Sequence, residues 1–305
     1  MAVAWREYLS AQSRRDLWEL VLLPGIALFL PWRWAFRIFR WAAFHLPSLY
    51  RPAVDRAFEQ ARQRQRTGSS PQEAHWWQAQ RRLVTLVDHA DLYLSLRHGP
   101  RFLARHLDVQ GQWPAPEQAG ISCTFHWGAG MWGLYHARQH GLRTVALIAP
   151  LDKQSPYFQG RPVLYRYTLA RVQQVIKALQ QQPVDVSKSL RPVLKTLARG
   201  EQVLFLADVP ADQASTSLPV WLGPEAIHVP RGMLKLAVEQ RIPVTFYIVG
   251  INLLTGRRFL RIEPLGIFAS EEAMAQALFT RFNGLLDEQN VAWHLWSEMP
   301  RFTQG

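Results

Sequence analysis

From residue 121 onward the chain repeats one pattern, a short apolar run followed by a stretch of helical spacing. ISCTF (121–125), TVALIAP (144–150), QVLFLAD (202–208), PVTFYIVGINL (243–253) and RRFLRIEPL (257–265) have the length and side chains of strands. Helical patterns follow the first run to about residue 139 and occupy about 157–181, 189–200, 230–241 and 271–289. SLRPVLKTLARG closes on a glycine suited to a helix C-cap, and PRGMLKLAVEQR carries proline near its start. Strands alternating with helices predict an α/β fold, with a mixed, largely parallel central sheet flanked by helices. Ahead of this block, residues 50–85 read as one or two polar helices broken at Thr67-Gly68-Ser69-Ser70-Pro71. Residues 82–107 place Leu83, Leu86, Val87, Leu92 and Leu94 at helical spacing.

The N-terminus has a different character. LWELVLLPGIALFLPWRWAFRIFRWAAFHL (17–46) is too long and too arginine-rich for a signal peptide. Its uninterrupted apolar part, Leu20 to Trp32, is about 13 residues and falls short of a bilayer span, and Pro24 and Pro31 would bend or break a helix. Beyond Pro31, Arg33, Arg37 and Arg40 fall at i, i+4 and i+7, with aromatics on the rest of the helix. That is the composition of a helix lying in the interfacial plane of a membrane, with arginines at phosphates and rings at the acyl boundary. The same pattern also suits an amphipathic helix packed on the body of the protein. The expected division is a membrane-associating segment at 1–50 and an α/β domain at 51–305.

A net charge of +12 attracts nucleic acid, anionic lipid or an acidic protein partner. The arginines concentrate beside aromatics at the N-terminus, and there is no recognition helix or RNA-binding sheet motif, so nucleic acid is not expected. Cys123 is the only cysteine, which excludes an intrachain disulfide, and no ligand spacing for a metal occurs. The absence of a Gly-x-Ser-x-Gly elbow removes support for a serine hydrolase.

Ligands in open α/β sheets bind beyond the carboxyl ends of the strands. His126 follows ISCTF and Asp208 follows QVLFLA, so parallel strands would bring both to one edge of the sheet. Either residue alone equally suits a structural role; together they favour a site. In SLPVWLGPEAIHVPRGMLKLA (217–237), an apolar run and Gly223-Pro224 precede a helix with Arg231 and Gly232 in its first turn. An arginine with backbone N–H groups at a helix start is a candidate anion site.

The stretch from SLRPVLKTLARGEQVLFLAD to RIPVTFYIV resembles the central block of the lipid A biosynthesis (late) acyltransferases, within the wider lysophospholipid and glycerolipid acyltransferase superfamily. The resemblance runs through Arg199-Gly200-Glu201, Val203 to Asp208, Val220-Trp221-Leu222-Gly223, Met233 to Ala237 and Ile242-Pro243-Val244. The aromatic-basic N-terminus and the closing NVAWHLWSEMPRF (290–302) extend it over most of the chain.

This resemblance implies an acyltransferase, membrane-bound at the cytoplasmic face of a bacterial inner membrane. It would move an acyl chain from acyl carrier protein or acyl-CoA to a hydroxyl or amine of a membrane lipid, with the thioester as co-substrate and no cofactor. The family signature is a histidine, four residues, then Asp or Glu. His126 takes the histidine position as general base, but Met131 stands where the acid belongs. Three accounts compete: another carboxylate assists, with Asp208 foremost and Asp152 and Asp212 behind it; His126 works unaided; or the chain binds lipid or a partner enzyme without catalysis. Arg231, and Arg166 among the basic residues Arg161, Arg166 and Arg171, would bind a phosphate. Trp127, Trp132 and Trp221 would line an acyl groove, although core packing suits all three tryptophans as well.

Overall fold

A computed structural model describes residues 7–97, 99–148, 151–185, 189–210, 212 and 216–303. The seven-stranded sheet at its centre has the order β1-β9-β8-β2-β5-β3-β4. Its strands are β1 (Leu107–Gln110), β2 (Gly120–Thr124), β3 (Thr144–Ile148), β4 (Val184–Asp185), β5 (Gln202–Leu206), β8 (Val244–Ile251) and β9 (Arg258–Gly266). β8, β2, β5, β3 and β4 are mutually parallel, and only β9 with its parallel neighbour β1 runs the other way. The fold is therefore α/β with a mixed, largely parallel sheet. The middle strands are continuously buried because helices cover both faces: every residue of β2 and β8 is buried, Ser122, Thr124 and Thr245 included.

The helices are α1 (Ala11–Asp16), α2 (Trp32–His45), α3 (Arg51–Gln63), α4 (Pro71–Arg97), α5 (Gly99–His106), α6 (Met131–Gln139), α7 (Pro162–Leu179), α8 (Arg191–Ala198), α9 (Gly232–Glu239), α10 (Glu271–Gln289) and α11 (Pro300–Thr303). Three elements differ from the sequence reading. β1 and β4 are short edge strands of four and two residues, too brief to show a period. The stretch before α9 is a hairpin of its own, with β6 (Ser217–Leu222) antiparallel to β7 (Glu225–Pro230). Gly223 turns that hairpin with φ +63, a conformation in which side chains are strained.

Pro24 does not break the N-terminal helical path, which loosens ahead of it. Leu17–Leu22 is π-helical, followed by one α turn at Leu23–Gly25 and a 3-10 turn at Ile26–Leu28. Pro24 offers no N–H, so the carbonyls of Glu19 and Leu20 lose the partner that a π or α pattern would supply. The hydroxyls of Tyr50 and Tyr93 donate to those carbonyls at 2.6 Å each. Pro31 then starts α2.

α2 buries Trp32, Ala35, Phe36, Phe39, Ala42 and Ala43 against the body. Trp32 donates to the Gly256 carbonyl at 2.9 Å and stacks under the guanidinium of Arg258, which pairs with Asp91. The opposite face of α2 carries Arg33, Trp34, Arg37, Ile38, Arg40 and Trp41, all exposed. The helix thus packs an apolar face on the body, as the second reading expected, and leaves an outward face where arginines alternate with large apolar side chains. Among the described residues no helix is long and apolar enough to cross a membrane.

Candidate active site

The parallel register of β2 and β5 pairs Cys123 with Phe205 and Thr124 with Leu206. One hydrogen bond past the strands, Ala207 N–H donates to Thr124 O at 2.9 Å, so the two chains leave the sheet side by side. His126 and Asp208 are the next residues out. Their side chains meet: His126 Nδ1 lies 3.0 Å from Asp208 Oδ1. The carboxylate also accepts from the His126 backbone N–H, at 3.0 Å to Oδ1 and 2.8 Å to Oδ2. Oδ2 takes a further bond from the Trp293 indole N–H at 2.8 Å.

Asp208 is fully buried, whereas the His126 side chain is 35% exposed. That contrast sets their roles. A carboxylate that accepts only makes Nδ1 the protonated ring nitrogen, which leaves the lone pair on Nε2. No hydrogen-bond partner of Nε2 occurs among the described residues. Burial lowers the affinity of His126 for a proton; the charge and hydrogen bond of Asp208, with the charge of Asp88 behind them, outweigh it. The net shift is upward from 6.5. The arrangement is a base with an orienting carboxylate, as in the outer two members of a catalytic triad. No serine, threonine or cysteine among the described residues bonds to His126, so a hydroxyl or amine to be deprotonated would arrive with a substrate.

The turn after His126 is built to hold this geometry. Gly128 has φ +54, and a Cβ there would lie 2.5 Å from Val249 O, so only glycine fits between the turn and β8. Ala129 N–H donates to that same carbonyl at 3.0 Å. Beneath the turn, Phe125 stacks on Phe282 at 4.3 Å between centroids and meets Phe279 and Phe246 edge-on. From the far side the segment after α10 closes over it. His294 N–H donates to His126 O at 2.8 Å, and Gly128 N–H donates to Ala292 O at 3.0 Å. His294 Nε2–H donates to Gly128 O at 2.9 Å. Burial holds His294 down to about 4, so it stays neutral.

The other residues singled out in the sequence lie as follows. Met131 opens α6 and is buried at 5% exposure within the apolar core. Trp127 is also buried, bridged antiparallel to Trp293, with no partner for its indole N–H among the described residues; it is beside the pair. Trp132 is fully buried and stacks on Phe102 at 4.7 Å, the packing role. Arg166 is exposed on α7 with its guanidinium 5.0 Å from the Tyr8 ring. Arg231 caps α9 and pairs with Glu271, so its charge is already answered. Trp221 stands 59% exposed on β6, where Gln276 bonds both its N–H and its carbonyl. None of Arg166, Arg231 and Trp221 bonds to His126 or Asp208 among the described residues.

Asp152 accepts from Gln154 N–H and Asp212 pairs with Arg301, which leaves Asp208 as the carboxylate at the histidine. Sequence reading assigned no role to Trp293 or His294. The only signal was the density of aromatic residues in NVAWHLWSEMPRF, and nothing in that density says which ring faces a carboxylate. Among the described residues no group of His, Cys, Asp and Glu is placed to hold a metal ion. No family model matches this chain, and no curated protein matches it.

Proposed function

We propose that the protein is an acyltransferase of the lipid A (late) acyltransferase type. It moves an acyl chain from a thioester, acyl carrier protein or acyl-CoA, to a hydroxyl or amine of a membrane lipid. The observation that carries this reading is the 3.0 Å contact between His126 Nδ1 and a fully buried Asp208 at the exit of adjacent parallel strands. In this role Nε2 takes the acceptor proton as the acceptor oxygen or nitrogen attacks the thioester carbonyl. The imidazolium that forms is held by Asp208 until the thiolate leaves and is reprotonated. The carboxylate that the family resemblance places five residues after the histidine is supplied instead by the neighbouring strand, which accounts for an apolar residue at Met131.

The outward face of α2 supports a membrane surface as the place of work. Arg37 and Arg33 lie over the Trp34 ring at 4.8 and 5.8 Å, and Trp34, Ile38 and Trp41 are presented to the outside at i, i+4 and i+7. Trp18, Leu22 and Phe29 add exposed apolar area from the preceding segment. A cytoplasmic face of a bacterial inner membrane suits these features and a cytosolic thioester donor. An acidic carrier protein also suits a chain of net charge +12.

The test is to incubate the purified protein with acyl carrier protein thioesters, acyl-CoA and a bacterial membrane lipid extract. The reading expects thioester consumption with a new acylated lipid, lost in His126→Ala. Unchanged thioester alongside binding to anionic vesicles would point to a protein that holds lipid without catalysis. Thioester consumption without an acylated product would make it a hydrolase.

A further inference from the structure

We propose that Trp293 is a positioning residue for the His126–Asp208 pair, acting through its hydrogen bond to Asp208 Oδ2. The inference rests on the acyl-transfer reading above and deepens it.

Asp208 has no solvent contact, so its orientation is decided wholly by the donors around it. Two of these are fixed by the chain itself, the His126 backbone N–H and ring N–H. The third, Trp293 Nε1–H at 2.8 Å, comes from a segment 85 residues farther along. Without it, Oδ2 retains one donor and the carboxylate is freer to turn about Cβ–Cγ. Oδ1 would then meet the imidazole in a less fixed direction, while the carboxylate charge, one donor poorer, stays beside the ring.

The ring itself is immobilised. Trp293 is 1% exposed and is enclosed by Phe282 at 5.2 Å, Trp296 at 4.9 Å and Phe302 at 5.9 Å between centroids. A buried indole N–H ordinarily finds an acceptor; here the acceptor chosen is the one that orients the candidate base. The backbone of the same segment grips His126 and Gly128, so one clasp holds the base by its main chain and the carboxylate by a side chain. A site of this kind needs its orienting shell as much as its reacting groups.

Trp293→Phe keeps the ring packing and deletes the donor. In the acyl-transfer assay kcat is expected to fall about 10-fold while KM changes by less than about two-fold. The acid limb of the kcat/KM profile is expected to move to higher pH, because a carboxylate with one donor fewer holds the imidazolium more strongly. Asp88 of α4 also acts on His126, and Asp88 and Arg81 of α4 with Arg171 of α7 act on the neighbouring His294; the substitution leaves all of them in place. In an Asp208→Asn background, Trp293→Phe should cost little more.

Trp296→Phe is the control. Trp296 belongs to the same aromatic cluster, but its N–H donates to Asn290 O, so it should soften the clasp without moving the limb. An unmoved limb and kcat in folded Trp293→Phe, an equal limb shift in Trp296→Phe, or the full 10-fold loss in the Asn background would overturn the proposal.

Nuclear magnetic resonance of the unsubstituted protein keeps the question open to test if Trp293→Phe does not fold. The Trp293 indole proton should shift with the titration of His126, and an indole proton blind to that titration would also overturn it. These spectra do not depend on turnover. A wild-type protein that consumes no thioester would sink the acyltransferase reading, while the coupling of Trp293 to His126 would still be decided.

Discussion

Replacing Asp208 with asparagine tests the candidate site most directly, because shape is conserved and the structure says which way the amide will face. Two N–H donors, the His126 backbone at 2.8 Å and Trp293 Nε1 at 2.8 Å, point at the Oδ2 position. If the new NH2 group faced them, the Trp293 N–H would lose its acceptor, at about 1–3 kcal/mol, and the His126 N–H would keep only its 3.0 Å contact to the Oδ1 position. The amide oxygen therefore takes the Oδ2 position, and the NH2 group faces His126 Nδ1 in place of Oδ1. The ring answers by presenting its lone pair at Nδ1 and its proton at Nε2. The nitrogen facing substrate is then protonated and is no longer a base. The corresponding loss in a catalytic triad is about 10⁴ in kcat, or about 5.5 kcal/mol.

The pH dependence sharpens the test. In the unsubstituted protein burial lowers the His126 pKa, but Asp208 and Asp88 raise it further, and the acid limb should lie above 6.5. Removing the Asp208 charge leaves burial dominant, so the limb of the residual rate should move below 6.5. Stability follows the same linkage. The contribution from His126 is complete below its unfolded value of 6.5 and is lost as pH rises through its raised folded value; the asparagine variant should lack it. Thiol release from the acyl thioester measures the rate, and thermal melts as a function of pH measure the stability. Wild-type kcat in a folded Asp208→Asn protein, or a large loss with the acid limb unmoved, would refute this reasoning.

Met131→Glu should not raise activity, because Asp208 already occupies the Nδ1 side of the histidine; it should instead lower stability by about 1–3 kcal/mol by burying a carboxylate without a partner, read from urea midpoints. Acidification should destabilise the protein between pH 6.5 and about 4: His89, His136 and His294 are held down to about 4 mainly by burial, so the unfolded chain takes up protons first. Asp91, pushed up by burial to about 6, and Glu19, also raised by burial, oppose this trend over part of the window, as does His126 at its upper end; three histidines displaced from 6.5 to about 4 are expected to outweigh them, so a melting temperature that rises on going from pH 7 to pH 4.5 would contradict the assignment. Asp91→Ala should cost about 3–5 kcal/mol by stranding the fully buried Arg258 guanidinium, and Asp91→Ala combined with Arg258→Met should recover a large part of that, as judged by denaturant unfolding.

Much of the fold was legible because its strongest signals are local. Continuous apolar runs such as 121–125 and 244–251 announce strands covered on both faces, and the glycine after α8 and the proline before α9 announce helix ends. The hairpin of β6 and β7 was missed because the run 217–222 merges into a helical pattern, and its pairing depends on the positive φ of Gly223. β1 and β4 are strands only because a neighbour supplies hydrogen bonds. Pro24 read as a helix breaker; two tyrosine hydroxyls from distant segments made a π-helical path tolerable instead.

The amino-acid sequence determined that His126 and Asp208 stand at strand exits, because an apolar run ending in a polar residue marks the place where burial stops. It also determined that Arg33, Arg37 and Arg40 share one face of α2 in a helix rich in aromatics. Tertiary structure decided the rest. The spatial adjacency of β2 and β5, whose paired residues are 82 apart along the chain, puts a carboxylate 3.0 Å from the imidazole, and no local spacing encodes that. Packing also decided which aromatics serve: Trp293 was turned onto Asp208, Trp132 into the core and Trp221 outward. Hydrogen bonds and charge partners act over a few ångströms, so which residues meet is set by the register of the sheet and the docking of the C-terminal segment, not by distance along the chain.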